Sequence, residues 1–181
     1  MRIISGSARG RKLKEPTGYK IRPTTDKVKE SVFNIVQFDI EGRRVLDLFA
    51  GTGQYGIEAL SRGAGSVVFV DSASESVKLI KENLKICGFF DQVSVQGRDA
   101  LRYLEDDEKF DLIFIDPPYE TKYAQKALHK ITEFDKLNIN GIIICELSAD
   151  TPTPVVALPY SLQKEYKYGG VKILRYMRMP E

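Results

Sequence analysis

The segment Asp116-Pro117-Pro118-Tyr119 combines the residue types in this chain that are most suited to chemistry. Two successive prolines fix the backbone and remove two N–H donors, so the main chain there offers only carbonyl acceptors. Asp116 and the Pro117 carbonyl could accept both hydrogens of an exocyclic amino group, while Tyr119 stacks on the ring that carries it. Such acceptors free the nitrogen lone pair for attack on an electrophile. These four residues are the candidate catalytic residues, although the same tetrapeptide alone is also typical of a rigid turn.

A glycine-rich segment lies some sixty residues earlier, directly after a short apolar run. Gly51, Gly53 and Gly56 have the spacing G-x-G-x-x-G, and Asp71 follows twenty residues after Gly51. This is the spacing of a dinucleotide-binding loop with an acid for the ribose. An oxidoreductase that uses a nicotinamide cofactor is therefore one hypothesis.

Four aspartates favour a different cofactor. Asp47, Asp71, Asp99 and Asp116 each stand at the carboxyl end of one of the four leading strand candidates. One such acid is typical of a helix cap or a solvated turn, but four around one crevice suit a nucleoside with an amino-acid tail and no phosphates. S-adenosylmethionine has that make-up, and we expect no metal. The predicted cofactor-binding residues are Asp47, Ala50, Gly51, Gly53, Asp71, Asp99 and Ala100.

These residues must be positioned by an α/β fold, because β-branched runs alternate with helical patterns from residue 44 onward. The predicted strands are Arg44–Phe49, Ser66–Asp71, Gln92–Gly97, Phe110–Asp116 and Gly141–Leu147. The predicted helices are Tyr55–Arg62, Ala73–Cys87, Ala100–Asp106 and Tyr123–Phe134, with an earlier one that begins near Thr24-Thr25. Gly169-Gly170 separates two late segments, Leu162–Tyr168 and Val171–Arg178, as in a β-hairpin. We therefore expect a mostly parallel seven-stranded sheet with an antiparallel C-terminal hairpin and helices on both faces.

The charge is unevenly distributed along the 181 residues, although the formal net charge is only +2. Residues 1–30 carry a net charge of +6, residues 31–160 carry −7, and residues 161–181 carry +3. Basic ends can grip phosphates without reading bases, while an unstacked RNA base enters a pocket. We expect a basic β-hairpin arm over residues 1–22 and a catalytic domain over residues 23–181. The predicted RNA-binding residues are Arg9, Arg11, Lys12 and Arg22.

Taken together, these motifs resemble class I S-adenosylmethionine-dependent methyltransferases, and more narrowly the RsmD family. The narrower resemblance is carried by Arg9-Gly10-Arg11-Lys12-Leu13, by Arg22-Pro23-Thr24-Thr25-Asp26 and by the segment from Gly56 to Ala64. It implies a Rossmann-like fold and methyl transfer to N2 of a guanine in bacterial 16S ribosomal RNA. It places Asp47, Gly51 and Gly53 on the methionine part of the cofactor. Asp71 would contact the ribose, Asp99 would lie near the adenine amino group, and Asp116 to Tyr119 would contact the target base. Gln54-Tyr55 departs from the small or aliphatic residues that this family often has there.

Other functions stay open at this point. The Asp-Pro-Pro-Tyr motif is shared with DNA adenine-N6 methyltransferases, but this chain has no room for a separate target-recognition region. A nicotinamide oxidoreductase and a non-catalytic RNA-binding module are more remote alternatives. Two widely separated cysteines, no signal peptide and no apolar run of membrane-spanning length indicate a cytoplasmic protein without a membrane partner. The expected partner is 16S ribosomal RNA or the small ribosomal subunit, with no obligate protein partner.

Overall fold

The protein folds around one mixed sheet, seen in a computed structural model that describes residues 1–16, 26–118 and 122–180. Its strands are β1 (Arg44–Leu48), β2 (Ser66–Val70), β3 (Val93–Gln96), β4 (Phe110–Ile115), β5 (Leu137–Ser148), β6 (Tyr160–Tyr168) and β7 (Val171–Arg178). They lie in the order β3-β2-β1-β4-β5-β7-β6. Strands β1 to β5 are parallel, and β7 pairs antiparallel with both β5 and β6. The predicted seven-stranded sheet with an antiparallel end is thereby confirmed.

Helices cover both faces of the sheet, as the alternating pattern predicts. They are α1 (Asp26–Ile35), α2 (Gln54–Ser61), α3 (Ser74–Cys87), α4 (Ala100–Tyr103) and α5 (Tyr123–Glu133). Apolar side chains of α1, α2 and α3 belong to one core cluster, and those of α4 and α5 belong to another on the opposite face. In α3, Ile80, Leu84 and Cys87 are the buried apolar residues, and Gly88 ends the helix in the left-handed conformation. Within the described residues no helix is both long and apolar enough to cross a membrane.

Strand β4 shows why the candidate catalytic segment lies at an edge of the sheet. Its six residues are nearly all buried, because Phe114 packs in the core under α2 while Ile113 and Ile115 pack in the core under α4 and α5. Asp116 follows directly. Since the carboxyl ends of parallel strands share one edge, the residues after β1, β2, β3 and β4 meet there. We call this the loop edge; it comprises residues 49–53, 71–73, 97–99 and 116–118.

The first sixteen residues form a small hairpin that packs on α2, and we call it the N-terminal hairpin. A single antiparallel bridge joins Arg2 to Lys12. Ile3, Ala8 and Leu13 are buried and belong to the same core cluster as α2. Three apolar side chains of the hairpin thus complete the core of the α/β fold, while the division of the chain into residues 1–22 and 23–181 stays a prediction. Residues 17–22 of the predicted arm lie outside the described residues.

Backbone hydrogen bonds to three polar side chains fix the N-terminal hairpin. The Glu58 carboxylate of α2, which is fully buried, accepts from the N–H groups of Ile4 and Ser5 at 2.8 and 3.0 Å. Ser61 Oγ accepts from Ala8 N–H at 2.9 Å. Asn83 of α3 accepts from the Lys14 N–H at 2.7 Å and donates to its carbonyl. The hairpin is therefore held against both helices as a fixed part of the domain.

Candidate active site

The loop between β1 and α2 is held in a tight, strained conformation. Phe49, Gly51 and Gly53 all have positive φ, and Gly53 immediately precedes the first turn of α2. Phe49 is the exceptional member, because a side chain disfavours this region of φ. At Gly53 a Cβ would also lie 3.3 Å from side-chain atoms of Ile57 and Ile80. The glycine at this position thus lets α2 begin close to α3, with the helix N-terminus at the loop edge.

Asp71 connects this loop to the next one along the sheet. Its Oδ2 accepts from Gly51 N–H at 2.8 Å, and its Oδ1 accepts from Ala73 N–H at 2.9 Å. The side chain is partly exposed, and a carboxylate has about four acceptor positions. Two of them remain for a ligand such as a ribose hydroxyl. The structure therefore brings together Gly51 and Asp71, as the sequence predicts, and adds a direct bond between them.

Asp99 and Ala100 open the short helix α4. Asp99 is exposed and accepts from the Arg102 N–H at 3.0 Å as the N-cap, while Ala100 is buried beneath it. An acid at this position can be explained by its role as a helix cap alone. The contact between Asp99 and an adenine amino group stays a prediction. The exposed carboxylate has acceptor positions left for such a contact.

Asp47, which was predicted to face the cofactor, is buried under α2. It is only 1% exposed, and its Oδ2 accepts from the Gly56 N–H in α2 at 2.8 Å. Burial raises the pKa of Asp47 to about 8, opposed by that hydrogen bond and reinforced by the charge of Asp71. Asp47 therefore supports α2 from below the loop, and its contact with a cofactor remains a prediction.

Asp116 lies at the end of β4 beside two other acids. Ile115 pairs with Cys145 of β5, so the next residues on these strands, Asp116 and Glu146, are neighbours. The Asp116 residue is partly exposed, yet burial of its carboxyl and the negative charges of Glu146 and Asp47 hold its pKa well above the usual value. These three acids form what we call the carboxyl row, across β1, β4 and β5. No group of three or more acid, His or Cys side chains among the described residues is arranged to hold a metal ion.

The rest of the predicted catalytic segment is only partly described. Pro117 is buried and Pro118 is exposed, so the backbone leaves the sheet towards solvent at this point. Tyr119 lies outside the described residues, and its stacking role stays a prediction.

A buried hydrogen bond behind the carboxyl row escaped the sequence analysis. Tyr55 of α2 is 3% exposed, and its hydroxyl donates to Glu146 Oε2 at 2.6 Å. Its ring stacks on Phe114 of β4, with 5.2 Å between the ring centres. Glu146 could have been found by the rule that identified the other acids, because it too stands near the carboxyl end of a strand. The contact between Tyr55 and Glu146 had no sequence signal, since 91 positions separate them.

Gln54, the first residue of α2, supplies a further polar atom at this edge. Its Oε1 is buried and accepts no hydrogen bond within the described part of the chain. Buried acceptors without a donor are uncommon and call for an explanation. A ligand that carries N–H or O–H donors would satisfy it. This atom and the acceptor positions left on Asp71 fit a cofactor with an ammonium group and ribose hydroxyls.

The predicted RNA-binding residues that the structure describes lie on one surface. Arg9, Arg11 and Lys12 are exposed on the N-terminal hairpin, and Arg22 lies outside the described residues. Arg11 donates to the Ile86 carbonyl of α3, whereas Arg9 and Lys12 form no ion pair within the residues that the structure describes. Asn83 links the hairpin to the glycine loop, because it donates to the carbonyls of both Lys14 and Thr52. The basic surface and the loop edge therefore share a support.

The strand order, the glycine loop and the acids at the loop edge together define the Rossmann-like fold of S-adenosylmethionine-dependent methyltransferases. The chain belongs to the RsmD family: the family model described as "Conserved hypothetical protein 95" matches residues 1–177. It is 40% identical to the "Putative rRNA methyltransferase YlbH" of Bacillus subtilis (strain 168), over 97% of this chain and 98% of that protein.

Two other comparisons agree with this family. The chain is 35% identical to the "Ribosomal RNA small subunit methyltransferase D" of Haemophilus influenzae, over 97% of this chain and 93% of that protein. Among solved structures, the "Putative methyltransferase yhhF from Escherichia coli" matches with a TM-score of 0.90 and 28% identity, over 100% of this chain and 99% of that one. The predicted family and fold are thereby confirmed.

Proposed function

We propose that this protein transfers a methyl group from S-adenosylmethionine to the exocyclic N2 amino group of a guanine in small-subunit ribosomal RNA. The observation that carries the proposal is the position of Asp116 and Pro117. They leave the sheet at the loop edge, next to Asp47 and the glycine loop, in a chain whose relatives are named as ribosomal RNA methyltransferases. The substrate therefore follows from the relatives, and the chemistry follows from the acceptors at the end of β4.

The loop edge would hold the cofactor through backbone and acid groups. Asp71 has acceptor positions left for the ribose, and Gln54 Oε1 has one for an ammonium group. When bound, S-adenosylmethionine supplies a methyl group on a positively charged sulfur and leaves as a neutral thioether. The acceptor groups at the loop edge suit such a cation better than a pyrophosphate, which separates this proposal from a nicotinamide enzyme.

Asp116 and the Pro117 carbonyl would orient the target amine by accepting hydrogen bonds from its two N–H groups. As the nitrogen gains the methyl carbon, the carbon–sulfur bond breaks and its electron pair stays on sulfur. The nitrogen then carries one proton too many, which the Asp116 carboxylate accepts. The raised pKa of Asp116 makes this carboxylate a better base than an ordinary aspartate.

The N-terminal hairpin would hold the RNA by its phosphates while the target base leaves its stack. Arg9 and Lys12 are exposed and have no protein partner among the described residues, so they can exchange water for phosphate oxygens. This contact is independent of base identity, so base selection takes place in the pocket.

The replacement Asp116→Ala tests the proposed chemistry. We expect the rate of methyl transfer to small-subunit RNA to fall by about 10²-fold or more, because a proton acceptor is lost. Binding of S-adenosylmethionine, measured by calorimetry, should be retained. Asp91→Ala is the matched control, since Asp91 is exposed and lies before β3 at the other edge of the sheet. Full activity of Asp116→Ala would contradict the mechanism, and label incorporated into DNA but not RNA would contradict the substrate.

Removal of two charges from the N-terminal hairpin tests the RNA contact. The double replacement of Arg9 and Lys12 by Ala should weaken RNA binding and reduce its dependence on salt, because about two fewer counterions are released. Binding measured across a salt series gives both quantities. The control removes Arg102 and Lys126, an exposed pair on the α4–α5 face. Equal salt slopes for the two double variants would show that the phosphates bind elsewhere.

A further inference from the structure

Tyr55 and Glu146 form a buried pair that the proposed methyl transfer does not use. Tyr55 is 3% exposed and Glu146 is 2% exposed, and the hydroxyl donates to the carboxylate at 2.6 Å. A buried acid is costly unless hydrogen bonds stabilise it. The Tyr55 hydroxyl supplies such a hydrogen bond to Glu146.

The pair is oriented towards the end of β4. The Tyr55 ring stacks on Phe114, two residues before Asp116, with the rings 15° from parallel. Phe33 of α1 packs against both rings, which fixes the position of the phenol. The register of β4 and β5 then places Glu146 next to Asp116. The hydrogen bond from Tyr55 of α2 thus fixes the position of the Glu146 carboxyl group beside Asp116, the candidate proton acceptor.

We propose that Tyr55 and Glu146 are positioning residues for Asp116: the Tyr55 hydroxyl holds the Glu146 carboxyl group beside Asp116, and this neighbour keeps a proton on Asp116 in the free protein. This inference rests on the proposed function only in so far as Asp116 is the proton acceptor there. The arrangement keeps Asp116 neutral until a cation enters the loop edge. A bound sulfonium cation would favour the ionised form, so the partly exposed Asp116 would release its proton to water when the cofactor binds.

The groups that face Asp116 within the described residues are few. Asp47 lies on β1, Glu146 and the neutral Cys145 thiol lie on β5, and Tyr55 reaches the site from α2. On β7, Lys172 acts on Cys145 as a cation, but its ammonium group donates to Thr153 Oγ1 at 2.9 Å. Burial is the largest cause of the raised pKa of Asp116, and Glu146 and Asp47 add to it; Glu146 is the neighbour that has a phenol donor.

Two substitutions separate positioning from packing. Glu146→Gln removes the charge and keeps the size, so we expect the pKa of Asp116 to fall by about one unit or more. Tyr55→Phe keeps the ring but removes the donor that holds Glu146 in place, so the pKa of Asp116 should fall by a smaller amount. The acidic limb of the pH–rate profile of methyl transfer should move to lower pH in the same order.

The pKa of Asp116 is measured directly by carbon NMR on protein with labelled aspartate side chains, with the signal assigned by its loss in Asp116→Asn. This titration needs no RNA and no cofactor, so it decides the inference even if the protein methylates no RNA. Tyr103→Phe is the matched control, because Tyr103 is also buried and donates to a glutamate, Glu108, on the opposite face. An Asp116 pKa that is unchanged in Tyr55→Phe would overturn the proposal. If Glu146→Gln does not fold, Tyr55→Phe alone still gives this result.

Discussion

Asp116 and Asp135 lie at opposite edges of the same sheet and have opposite electrostatic surroundings. Asp116 has Glu146 and Asp47 as neighbours, and its pKa is held above the usual value. Asp135 accepts from Arg178 at 2.7 and 3.1 Å, from Lys109 and from Tyr160, and these donors hold its pKa well below the usual value. One carboxyl group has a raised pKa, whereas the other is held as a structural anion.

The difference between Asp116 and Asp135 shows that the fold places its proposed functional acid and its stabilising acid at separate edges of the sheet. Asp135 precedes β5 and ties it to the ends of β7 and β4, where cations converge on a single acid. In the carboxyl row, burial and the neighbouring acids raise the pKa values of Asp47 and Asp116, so ionising these groups costs stability. A protein retains such a loss of stability at a site where a bound ligand offsets it. The loop edge is the part of the sheet that a ligand can reach.

The largest expected effect concerns Asp47. Because its pKa is about 8 when folded and ordinary when unfolded, the folded protein holds a proton that the unfolded chain has released. Stability should therefore fall between about pH 5 and pH 8, by at most about 1.4 kcal/mol per pH unit from this group. Asp47→Asn, whose amide oxygen can still accept from Gly56, should reduce that slope. Urea unfolding across this pH range measures it, and curves parallel to those of the wild type would contradict the assignment.

A smaller effect is expected at the opposite edge. Asp135→Asn should lower the free energy of unfolding at neutral pH by about 1–2 kcal/mol, because charged hydrogen bonds to Arg178 and Lys109 are lost at a partly exposed site. Asparagine also tolerates the positive φ of this position, so the backbone is preserved. Since the folded pKa is depressed well below that of the unfolded chain, the difference should shrink as the pH falls below about 4 and vanish in strong acid, where the folded carboxyl is protonated as well. A difference that does not shrink in acid would show that the charge is not its cause.

The smallest effect is expected for Tyr160→Phe. The Tyr160 hydroxyl donates to Asp135 at 3.0 Å and accepts from the Leu137 N–H at 3.2 Å, in a buried position. Its removal should cost about 1 kcal/mol of stability. Methyl transfer should be unaffected, because the change lies at the edge of the sheet away from Asp116. A change in rate without a change in stability would couple the two edges and weaken the comparison.

The sequence predicts the parts of this fold that depend on local patterns. The apolar run Phe110–Ile115 predicts a buried strand and Gly88 predicts a helix end, and both are confirmed. Strand β5 begins at Leu137, earlier than the predicted Gly141, because Leu137 pairs with Phe110 of β4 before an irregularity in the register. Asn138 and Asn140 follow Leu137 and are exposed and polar, so this part of the strand has no apolar signal in the sequence.

The parts that could not be predicted depend on contacts between distant positions. The donors of Asp135 come from Lys109 and from Arg178, 26 and 43 positions away. The sequence showed which residue types lie at the loop edge, but it did not show their burial or their hydrogen-bond partners. Asp47 was expected to face a ligand, and its burial under α2 depends on the packing of a helix that the strand pattern alone does not position.

The docking of the N-terminal hairpin also sets an order of assembly. Its backbone partners Glu58, Ser61 and Asn83 lie 53 to 69 positions further along the chain. Contacts of such long range form only after the intervening chain has been organised, because closing the loop costs entropy that local structure must first offset. The hairpin therefore settles after α2 and α3 have formed, and the surface that we assign to RNA is completed later than the loop that we assign to the cofactor.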